Sequence, residues 1–245
     1  DEVERYSEYF NYFDGFDLSS FQKWAIKSIV DNQHILVTAH TGSGKTLPAE
    51  FAIQYFVSKG KKVIYTAPIK ALSNTKLYDL RNKYPEISFG IITGDITDNP
   101  EADVLIMTTE ILPNTIMNRK LRTTNENIKL DFEIDFENDL AAVIFDEVHY
   151  INDPERGNVW EQAILMLPPD VQLIMLSATI DKPDIFANWI EKEKRQQSIE
   201  NDSIPKEVYL TTTEHRVVPL THYIWMTCHK NTIKVSKNKE YENQT

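Results

Sequence analysis

Short apolar runs recur along the chain, each followed by a longer stretch in which apolar positions return at helical spacing. Six runs fall at roughly 35–39, 63–67, 89–93, 104–108, 141–146 and 172–177. Several show no polar alternation, which is the mark of strands covered on both faces. Strands alternating with helices from 19 to 193 predict an α/β fold: one mostly parallel sheet with helices on both faces. A different rhythm occupies residues 119–139, where 129–137 alternate apolar and mostly acidic positions. Period two reads as an exposed hairpin arm or edge strand, and the default for this acidic insertion is a solvated surface.

The chemistry gathers at the ends of these runs. After the first comes Ala39-His40-Thr41-Gly42-Ser43-Gly44-Lys45-Thr46, then a helix-compatible segment. A strand, a glycine turn and a helix in direct succession form a phosphate cradle. The glycines let successive N–H groups point inward, and the helix N-terminus adds its positive end. Lys45 can reach the outer phosphates of a nucleotide, and the Thr46 hydroxyl can hold Mg²⁺. The strict pattern has glycine where Ala39 stands, and the bland alternative is an ordinary glycine turn. The fifth run ends in Asp146-Glu147-Val148-His149. Acids just past a buried strand sit in the crevice where open α/β sheets bind ligands. Asp146 is expected to hold the metal, directly or through water, and Glu147 to polarise the attacking water. The sixth run ends in Ser177-Ala178-Thr179, whose hydroxyls either bond the neighbouring acid strand or cap the next helix.

In this order the motifs resemble the first motor domain of superfamily 2 DExH-box helicases. The runs 68–74 and 107–112, with Thr93-Gly94-Asp95, are similar to superkiller-type RNA helicases, which feed RNA to the exosome. So are Asp146-Glu147-Val148-His149-Tyr150 and 155–161, and the likeness extends from about Phe16 to about Tyr223. Where the family usually reads Thr-Ser-Ala-Gly-Lys-Thr, this chain has Thr41-Gly42-Ser43-Gly44-Lys45-Thr46.

The resemblance implies a RecA-like fold and ATP with Mg²⁺ as cofactors. It divides the chain into a lead-in (1–18), the ATP-binding domain (19–212) and a linker (213–245) towards a second RecA-like domain of a longer chain. Thr41, Gly42, Ser43, Gly44, Lys45 and Thr46 bind nucleotide; Gln22 reads adenine while Phe16 stacks on it. Lys45, Asp146 and Glu147 act in hydrolysis, with Thr46, Asp146 and Glu147 at the metal. Pro68, Lys70, Thr93, Gly94, Asp95, Thr108 and Thr109 face the backbone of single-stranded RNA. His149, Ser177 and Thr179 couple the two sites. The implied activity is ATP-driven 3′–5′ translocation and unwinding, as a motor half that turns over poorly without its partner domain. The implied partners are RNA and an exosome-linked complex. Two alternatives stay open, a DNA repair helicase and a P-loop switch without helicase activity.

Composition changes this picture at one point. A net charge of −11 runs against a nucleic-acid binder, which is expected to show a basic surface. Motors of this type grip few phosphates, largely through N–H groups, hydroxyls and helix N-termini, so weak, salt-sensitive binding is expected. A single cysteine excludes an internal disulfide and fits a reducing compartment, cytoplasmic or nuclear. No apolar run approaches the length needed to span a membrane.

Overall fold

The computed structural model describes residues 5–13, 15, 17–122, 135–136, 138–178, 180–213, 222–226 and 231–235. Its main sheet contains β1 (His34–Ala39), β2 (Lys62–Ala67), β3 (Phe89–Ile92), β4 (Thr97–Asp98), β5 (Val104–Thr108), β6 (Leu140–Phe145), β7 (Gln172–Ser177) and β8 (Val208–Thr213). The order is β4-β3-β5-β2-β6-β7-β1-β8, parallel throughout except for the antiparallel β3–β4 pair.

Alternate residues of each central strand enter different cores. Ile35 and Val37 of β1 join Val63 and Tyr65 of β2 on one face. There they meet α2 (Ser20–Val30) and α3 (Leu47–Val57), which follow the short α1 (Ser7–Phe10), and Leu80 of α4 (Lys70–Lys83). Leu36 and Ile64 face the other way, against α5 (Ile111–Arg122), α6 (Gly157–Met166) and α7 (Pro183–Glu200). Both sides of β1, β2, β6 and β7 are therefore dry, which is why their sequences lack alternation.

The main sheet has two strands beyond the six expected. β4 has two residues, both exposed, so no hydrophobic pattern could announce it. β8 is an edge strand whose Val208 and Leu210 pack on the α7 side, while Thr211, Thr212 and Thr213 give it a polar appearance. Its parallel pairing with β1 fixes it in the sheet. α2 begins at Ser20, where Gln22 turns back on Ser19 and caps the first turn. Residues 213–245, expected to be linker, contain the antiparallel pair β9 (His222–Met226) and β10 (Asn231–Val235). Most of the acidic alternation, 129–134 and 137, lies outside the described residues. Phe136 beside it is buried, under the Arg119 guanidinium at 5.4 Å.

Candidate nucleotide and nucleic-acid site

The loop after β1 turns on Gly42 at φ +84° and Gly44 at φ +82°, a left-handed backbone that glycine adopts without penalty. A Cβ on Gly44 would also meet Gln22 Nε2 at 2.6 Å. Among the described residues, none accepts a hydrogen bond from the N–H groups of Gly44, Lys45 or Thr46. These donors lie at the N-terminus of α3, where an anion is favoured. The Ser43 hydroxyl instead donates to the His40 carbonyl at 2.7 Å, closing the near side of the loop.

β6 lies two places from β1 in the sheet, and its end brings the acids to the loop. Lys45 Nζ donates to both Glu147 carboxylate oxygens, at 2.7 and 2.8 Å. Glu147 adopts φ +52°, ψ +47°, a strained conformation for a side chain of this kind that turns its carboxylate towards the loop. Asp146 is buried and doubly held: Oδ1 accepts the Glu147 N–H at 3.0 Å and Oδ2 accepts the Tyr65 hydroxyl at 2.6 Å. Burial, then the Asp146 charge, drives the Tyr65 hydroxyl well above its ordinary pKa, so it remains a donor. His149 Nδ1 stands 3.3 Å from Glu147 Oε2 and 3.4 Å from Ser177 Oγ. Glu147, His149 and Ser177 are thus brought together. Thr179 lies outside the described residues.

Gln22 is more engaged than its sequence context suggests. Its amide oxygen accepts from the Ser19 N–H at 2.9 Å and the Ser19 hydroxyl at 3.0 Å, and its amide nitrogen donates to the Gly44 carbonyl at 3.1 Å. It joins the start of α2 to the phosphate loop and keeps one N–H for another partner. Phe16 lies outside the described residues.

The expected RNA-facing residues follow the ends of β2, β5 and β3, which are neighbours in the sheet. Pro68, Thr93, Thr108 and Thr109 are buried, and the Thr109 hydroxyl donates to the Ala67 carbonyl at 3.3 Å. Gly94 and Asp95 are exposed, and Lys70 is partly so. Lys70 is bound by the Asp95 carboxylate, which also accepts the Thr93 hydroxyl at 3.0 Å. The Lys70 hydrogen bond holds the Asp95 carboxyl below its ordinary pKa. Arg156 ties this edge together, donating to the Pro68 carbonyl at 2.6 Å and to Glu110 at 3.0 Å.

Tyr65 and Arg156 had no assigned role in the sequence reading. Tyr65 hides in an apolar strand, where the only signal is a polar hydroxyl one strand away from the acids. Arg156 lies in a family-like run whose parts carry no motif chemistry of their own.

A phosphate loop on β1, an acid pair after β6 and a hydroxyl closing β7 define a RecA-like motor domain. The model of the DEAD/DEAH box helicase family matches residues 19–186, and the chain belongs to that family. It is 42% identical over 210 residues to antiviral helicase SKI2 of Saccharomyces cerevisiae, covering 86% of this chain and 14% of that protein. Superkiller complex protein 2 of Homo sapiens is 43% identical, with 86% and 15% covered. Exosome RNA helicase MTR4 of Homo sapiens is 40% identical, with 86% and 18% covered. The superkiller-type resemblance of the motifs is thereby borne out, over less than a fifth of each relative's length. The crystal structure of DUF1998 helicase MrfA bound to DNA shares the fold, with a TM-score of 0.61 at 20% identity over 86% of this chain and 29% of that one. Among the described residues no helix is long and apolar enough to cross a membrane.

Proposed function

We propose that this domain is the amino-terminal motor half of an ATP-dependent RNA helicase of the superkiller type, acting inside the cell. The observation that carries the reading is the contact of Lys45 with Glu147, which joins the phosphate loop to the acid pair across 102 positions of sequence. The residues fit a nucleoside triphosphate with a divalent cation. Free N–H groups at 44–46 and Lys45 offer an anion cradle, while Thr46 and Asp146 supply hard oxygen ligands. Bound Mg²⁺ would neutralise charge on the outer phosphates. Lys45 then leaves Glu147 for the phosphates, and Glu147, released, orients the attacking water and takes up its proton. His149, between Glu147 and Ser177, carries the state of that carboxylate to β7. Gln22 and Phe16 select adenine.

Single-stranded RNA lies along the ends of β2, β5 and β3, with Lys70 exchanging Asp95 for a phosphate. The domain reads no base there, so unwinding follows from 3′–5′ translocation between two RecA-like domains. An exosome-linked complex is the expected setting. The test is strand displacement by the full-length protein on matched RNA and DNA duplexes, with ATP hydrolysis followed in parallel. RNA unwinding that requires hydrolysable ATP is expected. Unwinding of DNA alone would favour the repair-helicase alternative, and nucleotide binding without displacement of either duplex would favour a switch.

A further inference from the structure

The geometry points to Tyr65 as a positioning residue that fixes the Asp146 carboxylate for a divalent cation. The inference rests on the ATP–Mg²⁺ reading above and names a residue for it from outside the motifs. Tyr65 pairs with Ile144 in the β2–β6 register, two residues before Asp146. From there its side chain runs along the sheet among the residues that face α3, and its hydroxyl emerges at the end of β6. Tyr65 is 2% exposed, enclosed by its neighbours, with Lys76 Nζ 5.5 Å from the ring centroid.

A carboxylate offers about four lone-pair directions. Tyr65 takes one on Oδ2 at 2.6 Å and the Glu147 N–H takes one on Oδ1 at 3.0 Å. Two donors on different oxygens fix the plane of the group and leave a free direction on each oxygen for a cation or its water. Packing alone would be served by phenylalanine, which has the same ring; the hydroxyl matters only for what it bonds. Partners that orient a metal ligand in this way typically change metal affinity by about 10–100-fold when removed.

The experiment compares full-length wild type with Tyr65→Phe. Fluorescent ATP is held fixed and Mg²⁺ is titrated; nucleotide affinity is then measured in excess EDTA, and melting is followed by circular dichroism. Tyr65→Phe should raise the Mg²⁺ midpoint about tenfold and leave the EDTA affinity within about twofold. Tyr84→Phe serves as control, since it deletes another buried hydroxyl, one that donates to the Glu50 carboxylate at 2.9 Å. It should leave the Mg²⁺ midpoint unmoved. In an Asp146→Asn background the effect of Tyr65→Phe should vanish. An unmoved midpoint in Tyr65→Phe overturns the inference. So does an equal shift in Tyr84→Phe, or a full effect persisting beside Asp146→Asn. If wild type shows no Mg²⁺-dependent nucleotide binding, the ATP reading falls, and this inference with it.

Discussion

Replacing Glu147 with glutamine should strengthen ATP binding while abolishing turnover. Lys45 donates to both Glu147 oxygens, at 2.7 and 2.8 Å, with side chains 9% and 25% exposed. A nucleotide can recruit Lys45 only by breaking that pair. Hydrogen bonds to charged groups are worth about 1.5–3 kcal/mol net. An amide keeps one neutral acceptor, so the substitution removes half of that, about 1 kcal/mol. Removing the carboxylate also relieves its repulsion of the incoming phosphates, which acts in the same direction. With 1.4 kcal/mol per factor of ten, ATP affinity should rise about fivefold. Turnover should fall about 10²–10⁴-fold as the base is lost. The assay is equilibrium titration with fluorescent ATP and, separately, with AMP, which carries no outer phosphate for Lys45 to reach. AMP affinity should not change. Unchanged or weakened ATP binding, or an equal gain for AMP, would refute the exchange of Glu147 for phosphate.

Gln22→Ala should reduce the preference for ATP over GTP, measured as the ratio of the two dissociation constants; a ratio equal to wild type removes Gln22 from base selection. The same variant should lower the melting temperature, since it deletes the bonds to Ser19 and Gly44. Lys194 is buried in α7 with its Nζ on the Leu167 carbonyl at 2.8 Å, and burial depresses its pKa to about 7. The unfolded chain holds that proton up to a pKa of about 10.4. Between these values the unfolded state binds more protons, so stability should rise with pH, by about 2 kcal/mol from pH 7 to 9. Denaturant unfolding of wild type and Lys194→Met at both pH values should show that slope only in wild type; identical slopes would refute the assignment.

The central sheet was legible because burial on both faces leaves unbroken apolar runs, and the phosphate loop was legible because few residues can make that turn. The acids could be placed near the loop from strand topology alone. What the sequence could not give is which partners these groups choose. Nothing in a list of residues says that Glu147 takes a left-handed backbone, or that Gln22 spends both ends of its amide on Ser19 and Gly44. The threonines assigned to RNA illustrate the same gap. Thr108 ends β5 and Thr109 follows it, but both are buried, and Thr109 bonds Ala67. Edge elements were missed for the opposite reason. β4 and β8 are held by pairing with one neighbour and need little apolar pattern of their own.

The charge of the chain and the proposed ligands, all polyanions, stand in apparent conflict, since 37 acidic residues face 26 lysines and arginines. The two contacts at the proposed sites suggest how such a surface works. Lys45 rests on Glu147, and Lys70 rests on Asp95. In each place a carboxylate occupies the lysine until a phosphate arrives, so binding exchanges one anion for another. Such an exchange keeps the local charge balanced and makes the gain on binding small. A phosphate that only replaces a carboxylate contributes the difference between two ion pairs, which is far less than a cation standing alone would provide. A weak grip on phosphate at the proposed sites is the expected consequence. It also suits the proposed activity, because a motor that steps along RNA must release each phosphate it takes. On this view the acidic partners, Glu147 and Asp95, set the strength of the grip.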